Sequence, residues 1–123
     1  DGSYAIKSKC GNKALDLTGS KVANGTNIET WEYDGSTNLK WYLEAQNMLP
    51  DGIYKFGSKA DTNYVLNVQG NASADGSNVY LWERANNKSD QWVVQTSADG
   101  YCYIRELSSV KYLDVDNAAA EAG

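Results

Sequence analysis

Leu15–Trp31 reads LDLTGSKVANGTNIETW, and Leu66–Trp82, 51 residues further on, reads LNVQGNASADGSNVYLW. Six of the 17 positions are identical: Leu15/Leu66, Gly19/Gly70, Ala23/Ala74, Gly25/Gly76, Asn27/Asn78 and Trp31/Trp82. Others change conservatively, as Asp16 to Asn67 and Ile28 to Val79. A third copy opens at Leu113 with LDVDNAAAEAG. Self-similarity at such a period outranks local propensity, because each unit leaves an apolar face that only its neighbours can cover.

Outward from this stretch, each repeat opens with a short alternating run. Tyr4, Ile6 and Ser8 share one face, as do Tyr54, Phe56 and Ser58, and then Cys102 and Ile104; Lys7 and Lys9, or Lys55 and Lys59, fall on the other. That is the period of a half-buried strand. The runs Ala14–Leu17, Val65–Val68 and Tyr112–Val115 read as second strands, followed by loops rich in Gly, Asn and Ser. In the third strand, alternation sets Ile28 and Thr30 against Glu29 and Trp31, and Val79 and Leu81 against Tyr80 and Trp82. A fourth strand follows at Trp41–Leu43 or Trp92–Val94. Taken alone, residues 38–49 could pass for a short amphipathic helix, but the equivalent DQWVVQTS has a β pattern and overrules it.

The expected organisation is a single all-β domain over residues 1–123, with repeats at 1–48, 49–97 and 98–123, the third incomplete. The segment of the third repeat that would correspond to Thr26–Leu43 is not in this chain. A chain of 123 residues can bury a core. One Pro against 11 Gly, nine Tyr and four Trp is a turn-rich, aromatic β composition. The net charge of −5, without a basic stripe, argues against nucleic acid, polyanions and anionic membranes as partners. There is no His, which removes the commonest general base and metal ligand. No apolar run is long enough to span a membrane. No secretory apolar segment opens the chain, which starts at Asp1 and so reads as a piece of a longer or processed precursor.

Cys10 lies in a polar turn and Cys102 in a strand-like run. Two readings stay open: free thiols, one of them a small core residue, or a disulfide between the first and last repeats. Asn24-Gly-Thr, Asn71-Ala-Ser and Asn87-Lys-Ser match the N-glycosylation pattern, which arises easily in such loops. Asp61, Asp75, Glu83, Asp90 and Asp99 lack the spacing of a calcium loop and read as a solvated acidic surface.

The recurring pattern G-S-Y-x-I-x-S…L-D-L…G-T-N-I-x-x-W…W-Y-L resembles the ricin-type β-trefoil, and more closely the carbohydrate-binding modules of that type attached to bacterial secreted glycoside hydrolases. The resemblance covers the whole chain. The family's fourth-strand signature is Gln-x-Trp; Trp41 and Trp92 stand, but Leu39 and Asp90 occupy the Gln position and Gln91 is displaced by one. The resemblance implies a β-trefoil with pseudo-threefold symmetry, one shallow sugar pocket per repeat, no cofactor or metal, secretion, and an attached catalytic module. It places Asp16, Glu29, Trp31 and Asn38 in the first pocket. Asn67, Tyr80, Trp82 and Asp90 fall in a weaker second pocket, and the third keeps only Asp114.

The chemistry of these residue types suits a saccharide. An exposed indole covers the C–H face of a sugar ring, and a carboxylate accepts charge-assisted hydrogen bonds from neighbouring hydroxyls. Asn38 can both donate and accept. Against this, a repeated Trp is often packing, which is the favoured reading for Trp41 and Trp92, and Asp16 could serve only as a turn acceptor, as Asn67 would. Asn67 also removes the charge from the second pocket. Galactose-, xylose- and arabinose-type sugars are all compatible. A glycosidase using two carboxylates lacks any catalytic motif to support it. A free-standing lectin, or an inhibitor-like protein-binding trefoil, remains as the alternative.

Overall fold

The computed structural model describes residues 1–9, 11, 13–45, 52–85 and 88–115. Among them lie eight strands, three short 3-10 turns and no α-helix. The strands are β1 (Lys13–Leu17), β2 (Ile28–Glu32), β3 (Trp41–Ala45), β4 (Ile53–Ser58), β5 (Tyr64–Val68), β6 (Val79–Glu83), β7 (Trp92–Thr96) and β8 (Cys102–Glu106). All pairings are antiparallel. β1 and β2 form a hairpin, and the larger sheet runs β6-β5-β4-β7-β8 with β3 also on β4. In the segment 38–49, Trp41–Ala45 form β3, as the repeat register expects, and residues 46–49 lie outside the described residues.

The 51-residue repeat is visible atom by atom. β1 pairs β2 with Asp16 opposite Glu29 and Ala14 opposite Trp31. β5 pairs β6 with Asn67 opposite Tyr80 and Val65 opposite Trp82, the same register. Each of these first strands ends in a 3-10 turn, Thr18–Ser20 or Gln69–Asn71. Gly19 (φ 64°) and Gly70 (φ 65°) take the left-handed conformation there, which a side chain resists. The tip of the first hairpin then meets β6 of the second: the Gly25 amide donates to the Leu81 carbonyl, and the Leu81 amide to the Thr26 carbonyl.

The core collects the inward phase of every repeat. Leu17, Ile28, Trp41, Phe56, Leu66, Val68, Leu81, Trp92 and Ile104 form one buried cluster. Trp41 donates its indole N–H to the Leu15 carbonyl at 3.2 Å, and Trp92 donates to Leu66 at 3.1 Å. A buried indole needs such a partner, and the same bond twice ties each fourth strand to the second strand of its repeat. Both tryptophans are therefore packing residues, as their position predicts. Removing either side chain would cost about 3–5 kcal/mol.

Several expectations need correction. The opening run of the first repeat is not a regular strand; it makes isolated bridges, Tyr4 to Trp41 and Lys7 to Ala14. Tyr112–Val115 likewise contributes one bridge, Tyr112 to Arg105. Lys55 is not on a solvent face but buried, for a reason given below. Cys102 is exposed rather than a core residue; its pairing with Cys10 and the Asn87 sequon lie outside the described residues. Among the described residues no helix is long and apolar enough to cross a membrane.

Candidate functional site

In the first repeat the four predicted residues converge. Asp16 projects from β1, Glu29 and Trp31 from β2, and Asn38 from the 3-10 turn Thr37–Leu39. All four line one pocket of about 390 Å³. The order of buried and exposed positions explains the placement. Leu39 and Trp41 are both buried and anchor the chain on the core side, which leaves Asn38 between loop and strand. Its amide nitrogen donates to Asp16 Oδ1 at 2.5 Å. Trp31 stays 46% exposed, with its ring available to a ligand.

Asp16 has only 4% of its surface exposed. Burial pushes its carboxyl above the usual aspartate range; the Asn38 bond opposes this, and the neighbouring Glu29 carboxylate adds to it. Asp16 and Glu29 sit directly opposite each other across the hairpin. Like charges in that relation destabilise a sheet.

Gly19, Ser20, Asp34, Ser36 and Leu39 complete the pocket, and sequence reasoning passed over all five. A signal was present: Asp34-Gly-Ser is a turn motif in the loop that delivers Asn38. Asp34 Oδ1 accepts from the Ser36 amide at 2.8 Å and from its hydroxyl at 2.5 Å. The Ser36 hydroxyl and then its amide hold the Asp34 carboxyl below the usual range.

The second repeat does not reproduce this arrangement. Asn67 is buried at the Asp16 position. Tyr80, at the Glu29 position, stacks on Trp82 with ring centroids 5.1 Å apart and planes at 23°. One indole face is thus already covered by protein. Asp90 departs from its predicted role: it is fully buried, with Lys55 Nζ 3.0 Å from Oδ2. Lys55 also donates to the Ala85 carbonyl at 2.9 Å. Asp90 occupies the position of Leu39, so the second repeat puts an ion pair where the first packs a leucine. A carboxylate in that core position must bring a cation in with it, which is why Lys55 leaves the solvent face. Asp90 is therefore neither a pocket residue nor part of the solvated acidic surface. The Asn38 position is held by Ser89, also buried.

Asp114 is exposed, and the second strand of its repeat is reduced to one bridge. Among the described residues no group of three or more His, Cys, Asp or Glu side chains could hold a metal ion.

Comparison with known proteins now decides the family. The model of the ricin-type beta-trefoil lectin domain-like family matches residues 37–123, more than half of the chain. The chain belongs to that family. Its fold is the β-trefoil: the designed 3-fold symmetric protein ThreeFoil matches with a TM-score of 0.93 at 28% identity, over 100% of this chain and 85% of that one. The exo-beta-1,3-galactanase 1,3Gal43A from Clostridium thermocellum matches with a TM-score of 0.89 at 25% identity, over 98% of this trefoil but only 25% of that chain. The Rhizoctonia solani agglutinin matches with a TM-score of 0.82 at 19% identity, over 98% of this chain and 79% of that one, a likeness of fold. No curated protein matches the sequence. Membership in a ricin-type lectin family suggests a carbohydrate-binding, non-catalytic domain.

Proposed function

We propose that this ricin-type trefoil binds carbohydrate, a plant-type polysaccharide or sugars of the galactose, xylose or arabinose type, and that the first-repeat pocket is its working site. One observation carries the reading. An exposed indole, Trp31, lines the same small pocket as the Asn38–Asp16 hydrogen-bonded pair. The indole offers a platform for a ring face, and the pair offers fixed acceptors and donors for adjacent hydroxyls. Asn38 holds one oxygen of Asp16 in place, so the carboxylate meets a ligand without first losing rotamer freedom. Affinity per pocket would be weak and would gain from several contacts along a polysaccharide.

The role in the whole protein is that of a targeting module of a secreted glycoside hydrolase. The galactanase likeness supports this, since the matching trefoil makes up only 25% of that enzyme's chain. A glycan array combined with pull-down on insoluble polysaccharides tests the binding. Retention of wild type and loss with Trp31→Ala is the expected result; absence of saccharide binding by the wild type would remove the reading. Hydrolysis of a bound glycan by the isolated chain would instead favour an enzyme. The inhibitor-like alternative has less support, because a protein-binding loop gives no reason for Asp16, Trp31 and Asn38 to converge.

A further inference from the structure

The first-repeat pocket carries a charge pattern that the trefoil frame does not require. Asp16, Glu29 and Asp34 all line it, and none of its described lining residues is a lysine or arginine. Asp16 and Glu29 face each other across β1 and β2, a like-charge pair that costs the sheet stability. The second repeat holds the same register with Asn67 opposite Tyr80 and no charge at all. Asp34 has its Oδ1 occupied by Ser36 and acts on a ligand through its charge rather than through that oxygen. The carboxylates also act on one another: after burial, Glu29 and then Asp34 oppose ionisation of Asp16. Lys40 is a minor influence on Asp34.

We infer that the first-repeat pocket discriminates among saccharides by charge, preferring sugars with a free ammonium group over the neutral ring and refusing uronic and sialic acids. The inference rests on the saccharide-binding reading and adds the ligand's charge class. An ammonium in place of one hydroxyl brings three donors and no acceptor to a wall of acceptors, and both partners in the bond are then charged. It also relieves the repulsion between Asp16 and Glu29. A sugar carboxylate meets the opposite situation: its charge adds to three others, and its oxygens face oxygens. The pocket is open to solvent, so both effects weaken as salt rises.

The test uses matched sets of galactose, galactosamine and galacturonic acid, and their gluco counterparts, titrated into the chain by NMR at low and high salt. In whichever series binds, the amino sugar should bind about threefold to tenfold more tightly than the neutral sugar at low salt, with the ratio shrinking at high salt. The uronic acid should show no saturable binding. Asp34→Asn, which keeps the oxygen that Ser36 needs, should lower the ratio of amino-sugar to neutral-sugar affinity, and a ratio that the substitution leaves unchanged overturns the inference. Equal binding of neutral, amino and uronic sugars, or a preference indifferent to salt, overturns the inference while leaving saccharide binding intact. Binding of none of the six sugars removes both.

Discussion

The two complete repeats share a frame and diverge at the pocket. The same hairpin register sets Asp16 opposite Glu29 in one and Asn67 opposite Tyr80 in the other. In the first, the indole is free, the carboxylate is held by Asn38, and the core beneath is closed by Leu39. In the second, the indole is stacked by Tyr80, the carboxylate is gone, and the core beneath is closed by the Lys55–Asp90 pair. A repeated fold thus keeps its inward phase fixed and lets the outward phase drift. The first repeat tolerates an unfavourable charge pair in its pocket, and the second an ion pair in its core. The pocket pair makes sense as a binding device. The core pair has no such role, since no part of Asp90 reaches solvent.

The comparison breaks most sharply at the core. Asp90→Ala strands Lys55 as a buried charge and should destabilise the fold by about 3–5 kcal/mol in denaturant unfolding. The double variant Lys55→Met/Asp90→Leu, which imitates the first repeat, should instead be neutral or more stable than wild type. If the double variant is as damaged as the single one, the ion pair does more than fill the Leu39 position.

The next largest effect is on binding. Trp31→Ala should weaken saccharide binding by about 2 kcal/mol, the scale of a buried aromatic anchor, as read by calorimetry. Trp82→Ala should leave affinity nearly unchanged, because Tyr80 already covers one face of that ring. Equal losses from the two substitutions would mean that both repeats bind.

Acidification probes the same pocket through Asp16. Its folded pKa is raised above 3.8, so its ionisation costs the folded state. Stability contributed by the protonated form is present below the unfolded value and is lost as pH rises through the folded one. Binding runs the opposite way: the carboxylate accepts from hydroxyls only when ionised. Saccharide affinity should therefore fall on acidification with a midpoint above 3.8, and Asp16→Asn should flatten that profile. Affinity that does not fall on acidification, or a profile that Asp16→Asn leaves unchanged, would mean that Asp16 does not meet the ligand.

The smallest effect is the most diagnostic of a trade between stability and binding. Glu29→Gln removes the opposed like charge and should stabilise the fold by roughly 0.2–1 kcal/mol while weakening the preference for cationic sugars. Thermal unfolding of the two proteins side by side reads the first part. A destabilised Glu29→Gln would show that Glu29 earns its place structurally.

Much of this was legible in the sequence because two simple periods carry it. Alternation along the strands separates Leu17 and Ile28 from Asp16, Glu29 and Trp31, and the 51-residue offset shows which positions recur. Trp41 and Trp92 could be assigned to the core before the Leu15 and Leu66 carbonyls were known to receive them. The Lys55–Asp90 pair was not legible. Its partners stand far apart in sequence, and a lysine at an outward phase next to an aspartate loop looks like ordinary surface. The sign that pointed to it was that Asp90 shares its repeat position with Leu39. The pocket walls at Ser20, Asp34 and Ser36 were missed for another reason: they belong to turns, whose side-chain directions follow no period.

The central claim is that the first-repeat pocket holds the saccharide and the second does not. The indole N–H resonances of Trp31 and Trp82 report the two pockets separately in one NMR titration with a neutral saccharide selected on the array. The account predicts a saturable shift of the Trp31 indole, with the Trp82 indole unmoved. A shift at Trp82 without one at Trp31 would contradict it.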